Sequence, residues 1–78
     1  VLSMSEKIRE IFMEILKIDD LKPNSSLNKT ENWDSLNHLI IMSRLENEFN
    51  VKFTAKDIEQ LISFENIYNK LKELLGNE

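Results

Sequence analysis

Residues 32–49 read NWDSLNHLIIMSRLENEF, and their apolar residues recur at the spacing of an α-helix. The helix is predicted to run from Leu36 to Phe49. Four apolar residues form the stripe that is expected to face a core, namely Ile41, Met42, Leu45 and Phe49. Asn50 is predicted to end the helix, because asparagine tolerates the left-handed conformation that often follows a last turn.

The apolar band of this helix is broader than one core face requires. Leu36, Leu39 and Ile40 lie near its N-terminal end, outside the inward stripe. We expect at least one of these side chains to be exposed. Exposed apolar groups beside the helix entrance are typical of a docking surface.

A first helix is predicted from apolar residues at the i, i+3, i+4, i+7 and i+8 positions, which are Ile8, Ile11, Phe12, Ile15 and Leu16. Ser3 and Glu6 have the spacing of a capping box, and Ser5 is an alternative cap. The stretch from Asp19 to Pro23 is expected to end this helix, because proline disfavours helix at the residue before it.

A long loop is predicted from there to about Asp34. So long a loop in a small domain needs anchors or a function in order to stay ordered. The expected anchors are three apolar residues, Leu21, Leu27 and Trp33.

Two further helices are predicted after this central one. Thr54 and Asp57 indicate the start of a short helix. Its inward residues are expected to be Ile58, Leu61 and Ile62. Ser63 is expected to cap a last helix that Gly76 ends. The apolar stripe of this last helix comprises Phe64, Ile67, Tyr68, Leu71, Leu74 and Leu75.

The composition indicates one soluble, all-α domain over residues 1–78, a small four-helix bundle with three longer helices and one short helix. A chain of 78 residues closes a single core. One glycine and one proline disfavour the turn-rich β folds and phosphate-binding glycine loops. Residues 1–3 precede Met4 and are expected to be a cloning remnant.

Charge and residue content exclude several kinds of partner. A net charge of −4 disfavours nucleic acid, whose affinity comes mainly from lysine and arginine. With no cysteine and one histidine, neither a disulfide framework nor a structural metal site is expected. No apolar run is long enough for a membrane span, and no secretion signal is recognised, so a cytoplasmic monomer is expected.

Ser35 lies at the predicted N-terminus of the central helix, next to Asp34. A helix N-terminus has unpaired backbone N–H groups and a partial positive charge, and both stabilise an attached phosphate. Asp34 can cap the helix, or can contact a basic partner or a metal ion held by that partner. Taken alone, the Asp34-Ser35 pair is far more often a simple N-cap than a modification site, since both residue types are common caps.

The Asp34-Ser35-Leu36 motif, followed by a helix that ends RLENEF at residues 44–49, resembles the acyl carrier protein family. The resemblance covers nearly the whole chain, including the long loop and the short third helix. It implies that Ser35 accepts 4'-phosphopantetheine from coenzyme A through a phosphopantetheinyl transferase. The terminal thiol of that arm would carry acyl or aminoacyl groups as thioesters, and the chain itself would catalyse nothing.

The resemblance also implies that the central helix recognises partner enzymes that load and transfer the acyl group. Its partner-facing positions would be Asp34, Leu36, Leu39, Ile40, Ser43, Glu46 and Asn47. The acids among them are expected to meet basic docking surfaces on those enzymes. This helix is less acidic than in carriers of bacterial fatty acid synthesis. Trp33 before the motif and His38-Leu39 after it are more similar to accessory free-standing carriers, so a specialised pathway for surface glycans, peptides or polyketides is favoured.

Two other functions compete with the carrier. A cofactor-free helical interaction module would dock a partner through Leu36, Leu39 and Ile40. A hydrolase would pair Ser35 with His38, three residues later on the same helix, but the sequence offers no orienting acid or oxyanion donor. We expect His38 instead to be a partly buried helix residue that packs on Trp33.

Overall fold

The computed structural model describes residues 3–22 and 24–76, and their fold is the predicted small all-α bundle. The four helices are α1 (Met4–Leu16), α2 (Ser35–Phe49), α3 (Ala55–Gln60) and α4 (Phe64–Leu75). An isolated antiparallel bridge joins Ser26 to Ser63. None of the helices described is long and apolar enough to cross a membrane.

Helix α1 begins with the predicted capping box, in which Ser3 and Glu6 exchange side-chain and backbone hydrogen bonds. The helix ends at Leu16, earlier than the sequence indicated, because Lys17 adopts the left-handed conformation at a φ of 58°. Pro23, which was expected to contribute to this ending, lies outside the described residues, as do residues 1–2 of the expected cloning remnant.

The other helix ends follow the sequence closely. Helix α2 starts at Ser35, one residue before the predicted start, and ends at Asn50 in the left-handed conformation. Thr54 and Ser63 cap α3 and α4, each accepting a hydrogen bond from the backbone N–H three residues later. Gly76 follows α4 with a φ of 74°, a conformation that costs glycine little because it has no Cβ.

The core is formed by one face of α1, α2 and α4 together with residues of the connections. Its buried members are Ile8, Ile11, Phe12, Leu16, Leu21, Trp33, Ile41, Met42, Leu45, Phe53, Phe64, Ile67 and Leu71. Phe12 contacts the rings of Trp33 and Phe64 edge-on, with centroid distances of 5.0 and 5.4 Å. These pairs tie α1 to the end of the long loop and to α4, because such contacts add to the burial of the rings.

The long connection between α1 and α2 is held at several points. Leu21 and Trp33 are buried, as predicted, and Leu27 is partly buried. The side-chain amide of Asn32 donates to the carbonyl of Leu16 over 2.7 Å. The backbone N–H of Leu27 donates to the carbonyl of Ile62 over 2.8 Å. The loop is therefore attached both to the end of α1 and to the α3–α4 connection.

Two residues that were expected to face the core are exposed. Ile62 retains 41% of its accessible surface, and Leu74 is exposed on α4. Ile62 lies in the short connection after α3, where its backbone N–H donates to Gln60 and its carbonyl accepts from Leu27. The backbone of Ile62 is thus used to hold the loop, and the α3 pattern does not continue through it.

Candidate functional site

The entrance of α2 is capped by Asp34. One carboxylate oxygen of Asp34 accepts a hydrogen bond from the backbone N–H of Asn37 at 2.9 Å. The carbonyl of Asp34 accepts the first helical bond, from His38 N at 2.8 Å. The side-chain amide of Asn37 in turn donates to the carbonyl of Asn32 at 2.8 Å. The cap and the preceding loop are therefore connected by side chains from the first turn of the helix.

Ser35 is the first residue of α2, and it is exposed. Since Asp34 supplies the capping oxygen, the hydroxyl of Ser35 is not required for that task. The backbone N–H groups of Ser35 and Leu36 lie in the first turn, where a helix favours negative charge. A phosphate group linked to the Ser35 oxygen would meet this positive end of the helix.

The segment that leads into Ser35 is fixed by Trp33. Its carbonyl accepts from the backbone N–H of Asn28 at 2.7 Å, and its own N–H donates to the carbonyl of Thr30 at 3.1 Å. Asn28 and Asn32 both have a φ of 66°, which asparagine tolerates better than most residues. The left-handed residues before the buried tryptophan, together with these two backbone bonds, therefore place Ser35 at the end of an ordered segment.

His38 does not have the geometry of a base for Ser35. Its Nδ1 lies 3.0 Å from Trp33 Nε1, and its Nε2 lies 2.8 Å from the carbonyl of Ile58. The ring is buried, with 4% of its surface exposed, where a partly buried residue was expected, and it packs beside the indole of Trp33 as predicted. Because both ring nitrogens are engaged elsewhere, the arrangement offers Ser35 no hydrogen-bonded base of the kind that nucleophilic catalysis requires.

The apolar residues beside the entrance are exposed, as expected. Leu36, Leu39 and Ile40 retain 68, 54 and 43% of their accessible surface. A shallow hollow runs along this side of α2 and is lined by Leu39, Ile40, Ser43, Arg44 and Asn47. Three large apolar side chains next to one another form a patch of the sort that marks an interaction site. The patch begins one residue after Ser35.

Most charged side chains of α2 are directed toward the rest of the molecule. Arg44 forms an ion pair with Glu14 of α1, and Glu48 lies 3.6 Å from Lys7 of α1. The carboxylate of Glu46 accepts the backbone N–H of Phe53 at 2.7 Å, so it supports the connection between α2 and α3. Within the parts of the chain described, acids and His38 form no group of three or more that could hold a metal ion.

Comparison with known protein families identifies the chain. A family model described as the phosphopantetheine attachment site matches residues 6–71. The chain belongs to this family. Its members bind 4'-phosphopantetheine covalently on a serine, and as carriers they are not enzymes. The match spans all four helices of the bundle, from α1 to the last part of α4.

Two contacts of the site were not predicted from the sequence. The structure adds the bond from Asn37 to Asn32, and the bridge that His38 makes to Ile58. Asn32 has a detectable signal, since asparagine is enriched in the left-handed conformation. The contact with Ile58 has none, because twenty residues separate the two partners in the sequence.

Proposed function

We propose that Ser35 is the serine to which the 4'-phosphopantetheine arm is attached. The observation that supports this most strongly is the exposed Ser35 at the first position of α2, with capping left to Asp34. The residues present fit the group, because the hydroxyl is accessible and the helix N-terminus favours the phosphate. The arm supplies a thiol that forms thioesters, which the chain itself lacks, since it has no cysteine.

In the attachment step, the Ser35 oxygen forms a bond to the β-phosphorus of coenzyme A. The bond from that phosphorus to the oxygen of 3',5'-adenosine diphosphate breaks, and the proton of the Ser35 hydroxyl passes to a base on the transferase. Asp34 uses one oxygen for the cap. Its second oxygen is left for a basic group of the transferase or for a metal ion held by that enzyme.

Partner enzymes are proposed to dock on the outer side of α2. The residues assigned to this surface are Asp34, Leu36, Leu39, Ile40, Ser43, Glu46 and Asn47. Leu36, Leu39 and Ile40 supply its exposed apolar area. The carboxylate of Glu46 also accepts the backbone N–H of Phe53. Asp34 is the acid of this set that lies directly beside Ser35 in the sequence. Burial of the three apolar side chains would provide most of the binding free energy.

The chain is proposed to act as a cytoplasmic monomer that carries acyl or aminoacyl groups for a specialised pathway of surface glycan, peptide or polyketide synthesis. The charges of α2 support this choice. Glu48 is paired with Lys7 of α1, and Glu46 bonds the backbone of Phe53, which leaves the outer side of the helix with few free acids. A carrier that serves many partners through a strongly acidic helix would present more free acids there.

Intact mass tests the attachment site. The chain is incubated with coenzyme A and a phosphopantetheinyl transferase of broad specificity, and the mass of one phosphopantetheinyl group should be gained. Ser35→Ala should prevent the gain, and Ser5→Ala, which removes a serine of α1 outside the proposed docking surface, should not. A mass gain that persists in the Ser35→Ala variant would move the attachment to another residue.

A cofactor-free interaction module is the alternative, and the exposed apolar patch favours it as a second candidate. In that case, a partner would bind Ser35→Ala as tightly as it binds the unchanged chain. Ile40→Glu should abolish binding under either function, because it places a charge within the patch. The Ser35→Ala variant therefore separates the two functions. A carrier with this change should no longer be a substrate for an enzyme that acts on the loaded arm, whereas a cofactor-free module with this change should bind its partner normally.

A further inference from the structure

His38 connects two parts of the molecule through the two nitrogens of its ring. The indole N–H of Trp33 only donates, and the carbonyl of Ile58 only accepts. His38 Nδ1 must therefore be the acceptor at 3.0 Å, and Nε2 must carry the hydrogen that is shared with Ile58 at 2.8 Å. The neutral imidazole with its hydrogen on Nε2 is the form that satisfies both contacts.

This bridge fixes the segment that precedes Ser35. Trp33 lies two residues before Ser35, and its buried indole contacts the ring of Phe12 edge-on. The hydrogen bond to His38 sets the orientation of the indole within this packing, because its N–H must point at Nδ1.

The same ring holds α3 against the start of α2. Helix α3 has six residues and no fully buried side chain. Ile58 packs against the core only partly buried, and the part-buried bond from His38 to its carbonyl is a further link between α3 and α2. A displacement of α3 or of the Trp33 segment would therefore break a hydrogen bond to the His38 ring.

We propose that His38 is a positioning residue for the modification of Ser35. Acting through Trp33 and Ile58, it holds the entrance of α2 and the adjoining α3 in the arrangement that the transferase engages. This inference rests on the proposed function of Ser35. His38 does not touch the reacting atoms, and its effect is to place the hydroxyl.

Steady-state kinetics of the transferase on apo protein test the proposal. His38→Gln retains a donor that can reach Ile58 but has no acceptor at the Nδ1 position. Trp33→Phe removes the indole N–H and keeps an aromatic ring against Phe12. Each variant should lower kcat by roughly 10-fold, since misplacement by about 1 Å can reduce rates by two orders of magnitude. KM should stay within about twofold, because the exposed patch that docks is unchanged.

Ile67→Val is the matched control for a loss of stability. Ile67 is fully buried in α4, and shortening it costs about as much stability as the loss of one hydrogen bond. Its kcat should equal that of the unchanged chain. Equal kcat values for the unchanged chain and His38→Gln, or equal reductions in His38→Gln and Ile67→Val, would overturn the positioning role.

The separation of kcat from KM is the readout that a purely structural role would not produce, because a loss of stability alone does not change the turnover of the folded protein. Failure of the unchanged chain to accept the arm would instead refute the function proposed for Ser35.

Discussion

Replacing Asp34 should destabilise the fold, whereas replacing Ser35 should leave its stability almost unchanged. Asp34→Ala removes the carboxylate that accepts the N–H of Asn37 at 2.9 Å. It also removes a negative charge from the positive end of a 15-residue helix. Loss of the cap costs about 1 kcal/mol, and the helix dipole adds about 0.5 kcal/mol.

Ser35→Ala should leave the free energy of unfolding within about 0.5 kcal/mol of the unchanged chain. Its hydroxyl is exposed and the cap is supplied by the preceding residue. Alanine also favours the helical conformation slightly more than serine does, which offsets small losses. The Tm of Asp34→Ala should fall by about 6 to 12 °C, whereas that of Ser35→Ala should change by less than about 4 °C.

Urea unfolding followed by far-ultraviolet circular dichroism measures both changes, with the fluorescence of the single tryptophan as a second probe. Asp34→Asn is the control, because asparagine retains a capping oxygen and loses only the charge. It should lie between the unchanged chain and Asp34→Ala. A loss of stability in Ser35→Ala as large as that in Asp34→Ala would show that the serine hydroxyl is the cap, and the argument for an available hydroxyl would fail.

Three further outcomes follow from contacts elsewhere. Ile40→Glu should leave the free energy of unfolding within about 0.5 kcal/mol and abolish partner binding, as measured by calorimetry, because the residue is exposed. Glu46→Ala should lower stability by about 1 to 3 kcal/mol in urea unfolding, since the N–H of Phe53 loses a charged acceptor. Hydrogen bonds from Thr54 lower the pKa of Asp57. The stability that the ionised carboxylate of Asp57 contributes is therefore present above about pH 4 and is lost as the pH falls through the lowered pKa. Acid titration by circular dichroism should show that loss, and Asp57→Asn should remove it.

The sequence by itself indicated the four helices and most of the residues that begin and end them. Ser3, Thr54 and Ser63 bond backbone groups three residues away, and Gly76 adopts a conformation that its own lack of a side chain permits. These interactions are local, so their residues can be recognised from spacing alone. The D-S-L motif and the helix that follows it likewise indicated the carrier family, which the match over residues 6–71 shows.

The cap of α2 required only a choice between two neighbouring residues. The sequence left open whether Asp34 or Ser35 caps α2, because both residue types are common caps. The structure assigns the bond to Asp34, since its backbone is extended and Ser35 is already helical. This choice depends on where the chain leaves the loop, which the buried Trp33 determines.

Other features were decided only by tertiary structure. Arg44 and Glu48 turn toward α1, so the outer side of α2 is less charged than its composition implies. His38 meets Ile58 across twenty residues of intervening chain. Local spacing does not encode such contacts, because they form only when the burial of a shared core brings distant segments together. The sequence identified Ser35 as the candidate serine, and the packing of the loop, α1 and α3 determined its surroundings.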